Sequence, residues 1–231
     1  MHTTLALVCA LLGLAISPLL AKAVANPPLW EPSDDVGLRL EGRTRLVVTG
    51  LLTALLFGLA GGRLGWETVL APVLVLFAGL VIMSLVDVTI YRIPDRVLFP
   101  TYLTGLVLIV AISIDDGLLE SVWWGLGCSA LCYVFLKLPR LVLGRAAMGG
   151  GDIKLAALMG LYLGWVGWSS GQPLDALRLT LVGLLLGAVL GILGGLPTAV
   201  RNGLRTHYPF GPTLALATVV GVLWSGELLA R

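Results

Sequence analysis

Two aspartates stand out in a chain that carries few charges. Asp87 closes an apolar run in "VIMSLVDVTIYRIPDRVLFP" (81–100), and Asp152 opens another in "MGGGDIKLAALMG" (148–160). Two carboxyl groups brought together share a proton, because like charges raise one pKa, so one group is left as base and the other as acid. That is the chemistry of aspartic proteolysis. The base takes a proton from water as it attacks a peptide carbonyl, and the acid stabilises the oxyanion and later feeds the leaving amine. No Ser/His or Cys/His set competes, since the histidines are His2, at a terminus, and His207, in the last basic loop. Gly149, Gly150 and Gly151 precede Asp152; they free the backbone for positive φ and leave no side chains in the way of an extended peptide. Asp152 falls where a helix begins, and the positive end of that helix favours its ionised form.

Each acid also has a plainer reading. Asp152 could be an N-cap and Asp87 a solvated residue just past a helix end. Asp95, beside Pro94, reads as a turn or cap residue, with a supporting role at the site as the alternative, and Asp115, Asp116 and Glu120 as an exposed outer loop. Lys154, one turn into its helix, reads as facing headgroups, with a supporting role in tuning Asp152 as the alternative.

These residues must be held by membrane helices. The 231 residues are 58% hydrophobic and 12% charged, far from the balance of a soluble domain, so the fold class expected is all-α: a polytopic bundle of about eight transmembrane helices. Apolar runs place the spans near 3–21, 46–62, 68–86, 98–114, 118–138, 153–168, 179–197 and 210–229, the second being cut short by Gly61, Gly62 and Arg63. Residues 22–45, with Pro27, Pro28 and Pro32, read as an irregular cytoplasmic loop within a single membrane domain. With the amino terminus outside, only Arg63, Arg178 and Arg231 of the fifteen Lys and Arg lie on the outer side. Basic loops stay in the cytoplasm, so this asymmetry supports the orientation and places Asp87 and Asp152 at the cytoplasmic ends of their spans. "AKA" at Ala21–Ala23 looks like a cleavage site, but "MHTT" supplies no basic residue before the first run, which is therefore read as a retained span.

A net charge of +2 gives no reason to expect nucleic acid as a partner. Cys9, Cys128 and Cys132 all sit in apolar stretches and read as packing residues; no metal is expected. Gly183, Gly187 and Gly191 recur every fourth residue, a close-packing surface between helices. Trp66, Trp123, Trp124, Trp165, Trp168 and Trp224 fall near the outer ends of spans, as an interfacial belt does.

The motifs together resemble the type IV prepilin leader peptidase family, GxGD-type membrane aspartic proteases related to preflagellin peptidases. Gly149-Gly150-Gly151-Asp152 followed by "IKLAALMG" is similar to the GxGD motif; Asp87 through the Pro94-Asp95 pair is similar to the first aspartate motif; "YPFGPTLALA" at Tyr208–Ala217 is similar to a carboxy-terminal "PFGP" segment. The three matches occur in the family's order and run from the third span to the last. The resemblance implies that Asp87 and Asp152 are catalytic, in a peptidase core over 68–168. It implies as partners the type IV prepilin or pseudopilin precursors, whose short basic leader is cleaved at the cytoplasmic face of a bacterial inner (plasma) membrane. It requires no cofactor for proteolysis. Nearby Arg and Lys residues read as holding anionic membrane lipid.

Many members of that family also methylate the new amino terminus and carry two CxxC pairs between their first two spans. The 22–45 loop here has no cysteine, so methylation is not expected. The competing classes are a proton-coupled transporter, which calls for acids at mid-membrane and an internal repeat, and a non-catalytic pilus-assembly scaffold, against which both intact aspartates argue.

Overall fold

In hydrocarbon, backbone amides have no water to bond, and a helix satisfies them within one segment. The computed structural model describes residues 2–26, 41–143, 149–168, 171–202 and 208–230, and all regular structure among them is helical. In chain order the helices are α1 Thr3–Ala25, α2 Gly42–Leu64, α3 Leu70–Ile90, α4 Asp95–Asp115, α5 Leu119–Leu143, α6 Gly150–Gly167, α7 Pro173–Asn202, α8 Gly211–Leu223 and α9 Ser225–Leu229. The chain divides into two compact units, Met1–Ile112 and Ser113–Arg231, with the boundary in the last turn of α4.

In the first unit α1 and α2 run antiparallel with their backbones nearly touching. A Cβ on Gly13 would lie 2.8 Å from the Thr53 carbonyl oxygen, and one on Gly61 would lie 2.9 Å from the Leu5 carbonyl oxygen and 2.8 Å from Cys9 Sγ. The chain leaves α2 through Gly65 at φ +70, a conformation open to glycine and strained for other residues. α3 forms the interior. Val73, Leu76 and Phe77 are fully buried, and Val81, Ile82, Leu85 and Val86 pack with Val24 of α1 in a cluster that ends beside Asp87. α4 closes on α3 where Gly79 admits Thr101, whose Oγ1 would stand 2.5 Å from a Cβ at position 79.

The second unit is built round α6. Leu155, Ala156, Leu158, Met159, Leu161, Tyr162 and Leu163 are all below 2% exposed, and a helix apolar on every side belongs in an interior. α5, α7 and α8 surround it. Its seam with α5 is made of glycine and cysteine: a Cβ on Gly160 would sit 2.5 Å from the Cys128 carbonyl oxygen and 3.0 Å from Cys132 Sγ, and one on Gly164 would sit 2.7 Å from Cys128 Cβ. The cysteines fill notches that the glycines leave, so they pack as the sequence predicts. Along α7, Gly183 receives Leu163 of α6, Gly187 receives Leu214 of α8, Gly191 receives the Phe210 ring and Gly194 the Tyr208 hydroxyl. The predicted glycine stripe is therefore a packing surface for α6, α8 and the Tyr208–Phe210 segment that leads into α8.

Each of the eight predicted spans has its helix. α2 runs through Gly61, Gly62 and Arg63 to Leu64 instead of stopping short, because the glycines take the close α1 contact. The last span is two helices, broken at Trp224. Among the described residues six helices, α1 to α5 and α7, are long and apolar enough to cross a membrane, and the protein is a polytopic helical membrane protein. The tryptophan belt holds only in part. Trp66 and Trp123 are 79% and 72% exposed, but Trp165 and Trp168 are buried; Trp168 stacks on Trp124 with centroids 5.7 Å apart, and Trp165 meets Tyr162 edge-on. The middle of loop 22–45, including its three prolines, lies outside the described residues, as do Arg145, Arg205 and His207.

Candidate active site

Asp87 stands in the last turn of α3 and is 4% exposed. The reading of it as a solvated residue beyond a helix end is corrected, because α3 continues to Ile90 and packs the residue inward. α3 stops at Tyr91, whose N–H donates to the Asp87 carbonyl oxygen at 2.8 Å. Tyr91 has φ 51 and ψ 35, the one positive φ among the described non-glycine residues. A bulky residue held there stores strain of about 1–3 kcal/mol, a type of strain that clusters at functional sites. Nothing in the sequence announced it. After Arg92, Ile93 and Pro94 the chain re-enters helix: the Pro94 carbonyl accepts the N–H groups of Val97 and Leu98, both at 3.0 Å, and Asp95 is the first residue of α4. Pro94 thus holds the cap position and Asp95 comes one residue after it, which corrects the cap reading, while a carboxylate there still meets the positive end of the helix.

Asp152 lies in the second unit. The N-cap of α6 is Gly149, extended at φ −62 and ψ 138, which makes Asp152 the third helical residue and corrects its reading as an N-cap. Positive φ among the described glycines occurs at Gly65, Gly117 and Gly171, so the glycine run before Asp152 does not use the left-handed freedom expected of it. It supplies room. A Cβ on Gly149 would lie 2.6 Å from Asp152 Oδ2, and one on Gly150 would lie 2.5 Å from Arg140 Nη1. The carboxylate folds back over position 149, while the guanidinium from the last turn of α5 lies against position 150. Gly151 and Asp152 are half-buried within the first turn, and Gly149 is exposed. Lys154, half-buried, lines the same cleft as Arg140.

Gly149, Gly150, Asp152, Lys154 and Arg140 thus come together around the start of α6, and Asp87 and Asp95 flank the α3–α4 turn. The two catalytic candidates occupy opposite helix poles, Asp87 at a C-terminal turn and Asp152 at an N-terminal one. Arg140 was missed as a site residue, because its position depends on how α5 meets α6. Asp175 was also passed over: it is 6% exposed in the first turn of α7, and its place in "QPLD" ahead of an apolar run was the available signal.

Comparison with known proteins bears on residues 74–196, which match the type IV leader peptidase family and contain Asp87, Asp95 and Asp152. The prepilin leader peptidase/N-methyltransferase of Pseudomonas aeruginosa is 33% identical over 80% of this chain and 60% of its own length. That of Aeromonas hydrophila is 30% identical over 90% of this chain and 69% of its own length. That of Bacillus subtilis is 30% identical over 78% and 66%. The chain spans about three fifths of the length of the Pseudomonas relative. No solved structure matches it. With more than half of the chain covered by the family and both aspartates inside the match, this membrane protein belongs to the type IV leader peptidase family.

Proposed function

We propose that the protein is an aspartic endopeptidase that removes the short basic leader of type IV prepilin or pseudopilin precursors at the cytoplasmic face of the membrane, with Asp87 and Asp152 as its catalytic pair. The observation that carries the proposal is that the family match encloses two carboxyls placed unlike surface acids. One is buried in the last turn of α3, and the other is folded over a glycine whose every substitution would crowd it.

In this mechanism the two carboxyls share one proton. One, as base, takes a proton from a water whose oxygen bonds to the scissile carbonyl carbon, while the other donates to the carbonyl oxygen. Collapse of the tetrahedral species breaks the C–N bond: the proton held by the base passes to the leaving amine, and one hydroxyl proton returns to the other carboxylate, so the pair again shares one proton. Gly149, exposed beside the carboxylate, is the edge along which the substrate backbone lies. Methyl transfer, part of the relatives' printed names, is not carried over, because residues 22–45 hold no cysteine.

The test is intact mass spectrometry of a prepilin co-expressed with the wild type, Asp87→Asn or Asp152→Asn. Loss of the leader mass with the wild type alone is the expected result. Cleavage that survives either substitution would remove that residue from the pair, and added methyl mass would restore the transferase.

A further inference from the structure

Between the last turns of α5 and the first turn of α6 is a cleft of about 600 Å³ lined by Tyr133, Lys137, Arg140, Leu141, Gly150, Ile153 and Lys154. Three of these carry positive charge and none carries negative charge. Lys137 is held to the wall: its Nζ donates to the Tyr133 hydroxyl at 3.4 Å and stands 5.0 Å from the centre of that ring. Arg140 lies against the bare backbone of Gly150, so its guanidinium stands at the start of α6. Lysine as point charge and arginine as planar fork are donors that recognise a phosphate.

The apolar part of the cleft identifies the carrier of that phosphate. Leu141 and Ile153 line the cleft, and Val134, Phe135, Leu138 and Leu141 are each half or more exposed along α5. A free anion has no use for that surface, whereas acyl chains do, and Lys137 and Arg140 sit where this apolar face ends. We propose that the cleft is a binding site for an anionic phospholipid, with its phosphate held by Lys137, Arg140 and Lys154 and its chains laid along the outer face of α5.

The test is native mass spectrometry of the full-length wild type, titrated in detergent with phosphatidylglycerol or phosphatidylcholine. Retention of phosphatidylglycerol in preference to phosphatidylcholine is expected, with affinity falling roughly fivefold for each cation removed in Lys137→Gln and Arg140→Gln. The charge-keeping double variant Lys137→Arg/Arg140→Lys separates lost binding from lost folding and should retain the lipid. Equal retention of the two lipids, or unchanged retention in Lys137→Gln/Arg140→Gln, would overturn the proposal. So would displacement by millimolar inorganic phosphate, which would assign the cleft to a free anion, or by a soluble acidic peptide, which would assign it to protein. The readout is binding, so it stands or falls independently of peptidase activity.

Discussion

The Asp152 carboxylate lies over Gly149 so closely that a methyl group on that glycine would reach within 2.6 Å of Oδ2. A single hydrogen atom at position 149 therefore sets where the carboxylate can be. Gly149→Ala should leave the fold intact, since Gly149 is exposed and extended, yet slow leader cleavage by about 10- to 100-fold through misplacement of the reacting group. Initial cleavage rates beside a melting curve in detergent would check this. A normal rate would mean that the carboxylate does not act from this position.

Asp87→Asn and Asp152→Asn keep shape and remove the ionisable group. Each should lower cleavage by roughly 100- to 10,000-fold, with the double variant little worse than either single, because the two carboxyls work as one unit. Single-turnover kinetics with purified precursor would check it. Asp95→Asn serves as the contrast: it should cost about 0.3–1 kcal/mol at the start of α4 and leave cleavage within a few-fold of wild type.

The α5–α6 seam predicts a difference between glycines. Gly160→Ala forces a methyl group against the Cys128 carbonyl and should destabilise by about 1–3 kcal/mol. Gly127→Ala, on α5 with no atom within 4 Å of the added carbon, should stabilise by roughly 0.5–1 kcal/mol. Reversible unfolding in mixed micelles would measure both. Labelling of Cys128 and Cys132 by a thiol reagent should rise in the first variant only.

How much of this was legible beforehand depended on the kind of physics involved. Helix positions followed from apolar run length, which the bilayer imposes locally, and the glycine stripe on α7 followed from its period. Asp152 was picked out as a candidate, but its reading as an N-cap failed because Gly149 takes that place and the acid falls three positions further in. Tyr91, Arg140 and the burial of Trp165 and Trp168 were not legible. Each depends on which neighbour packs where, and no local pattern encodes that.

The Tyr208–Phe210 segment gives a further prediction. Gly191→Ala would push on the Phe210 ring and Gly194→Ala on the Tyr208 hydroxyl, so each should loosen the approach to α8. Hydrogen exchange in α8 should rise in both variants, while α5 and the α5–α6 seam keep wild-type protection. Unaltered exchange in α8 would mean that the segment can repack at little cost.

α6 carries Asp152, is enclosed by α5, α7 and α8, and is absent from the helices whose length and apolarity suffice for crossing a membrane. Left alone at the insertion machinery, such a segment has little reason to enter lipid, since an acid, a lysine and several glycines offset its leucines. Its partners supply the reason, through the seam with α5 and the stripe on α7. The carboxylate thus enters the membrane as part of an assembly, and biogenesis of the second unit is a cooperative event in which α6 is recruited by its neighbours.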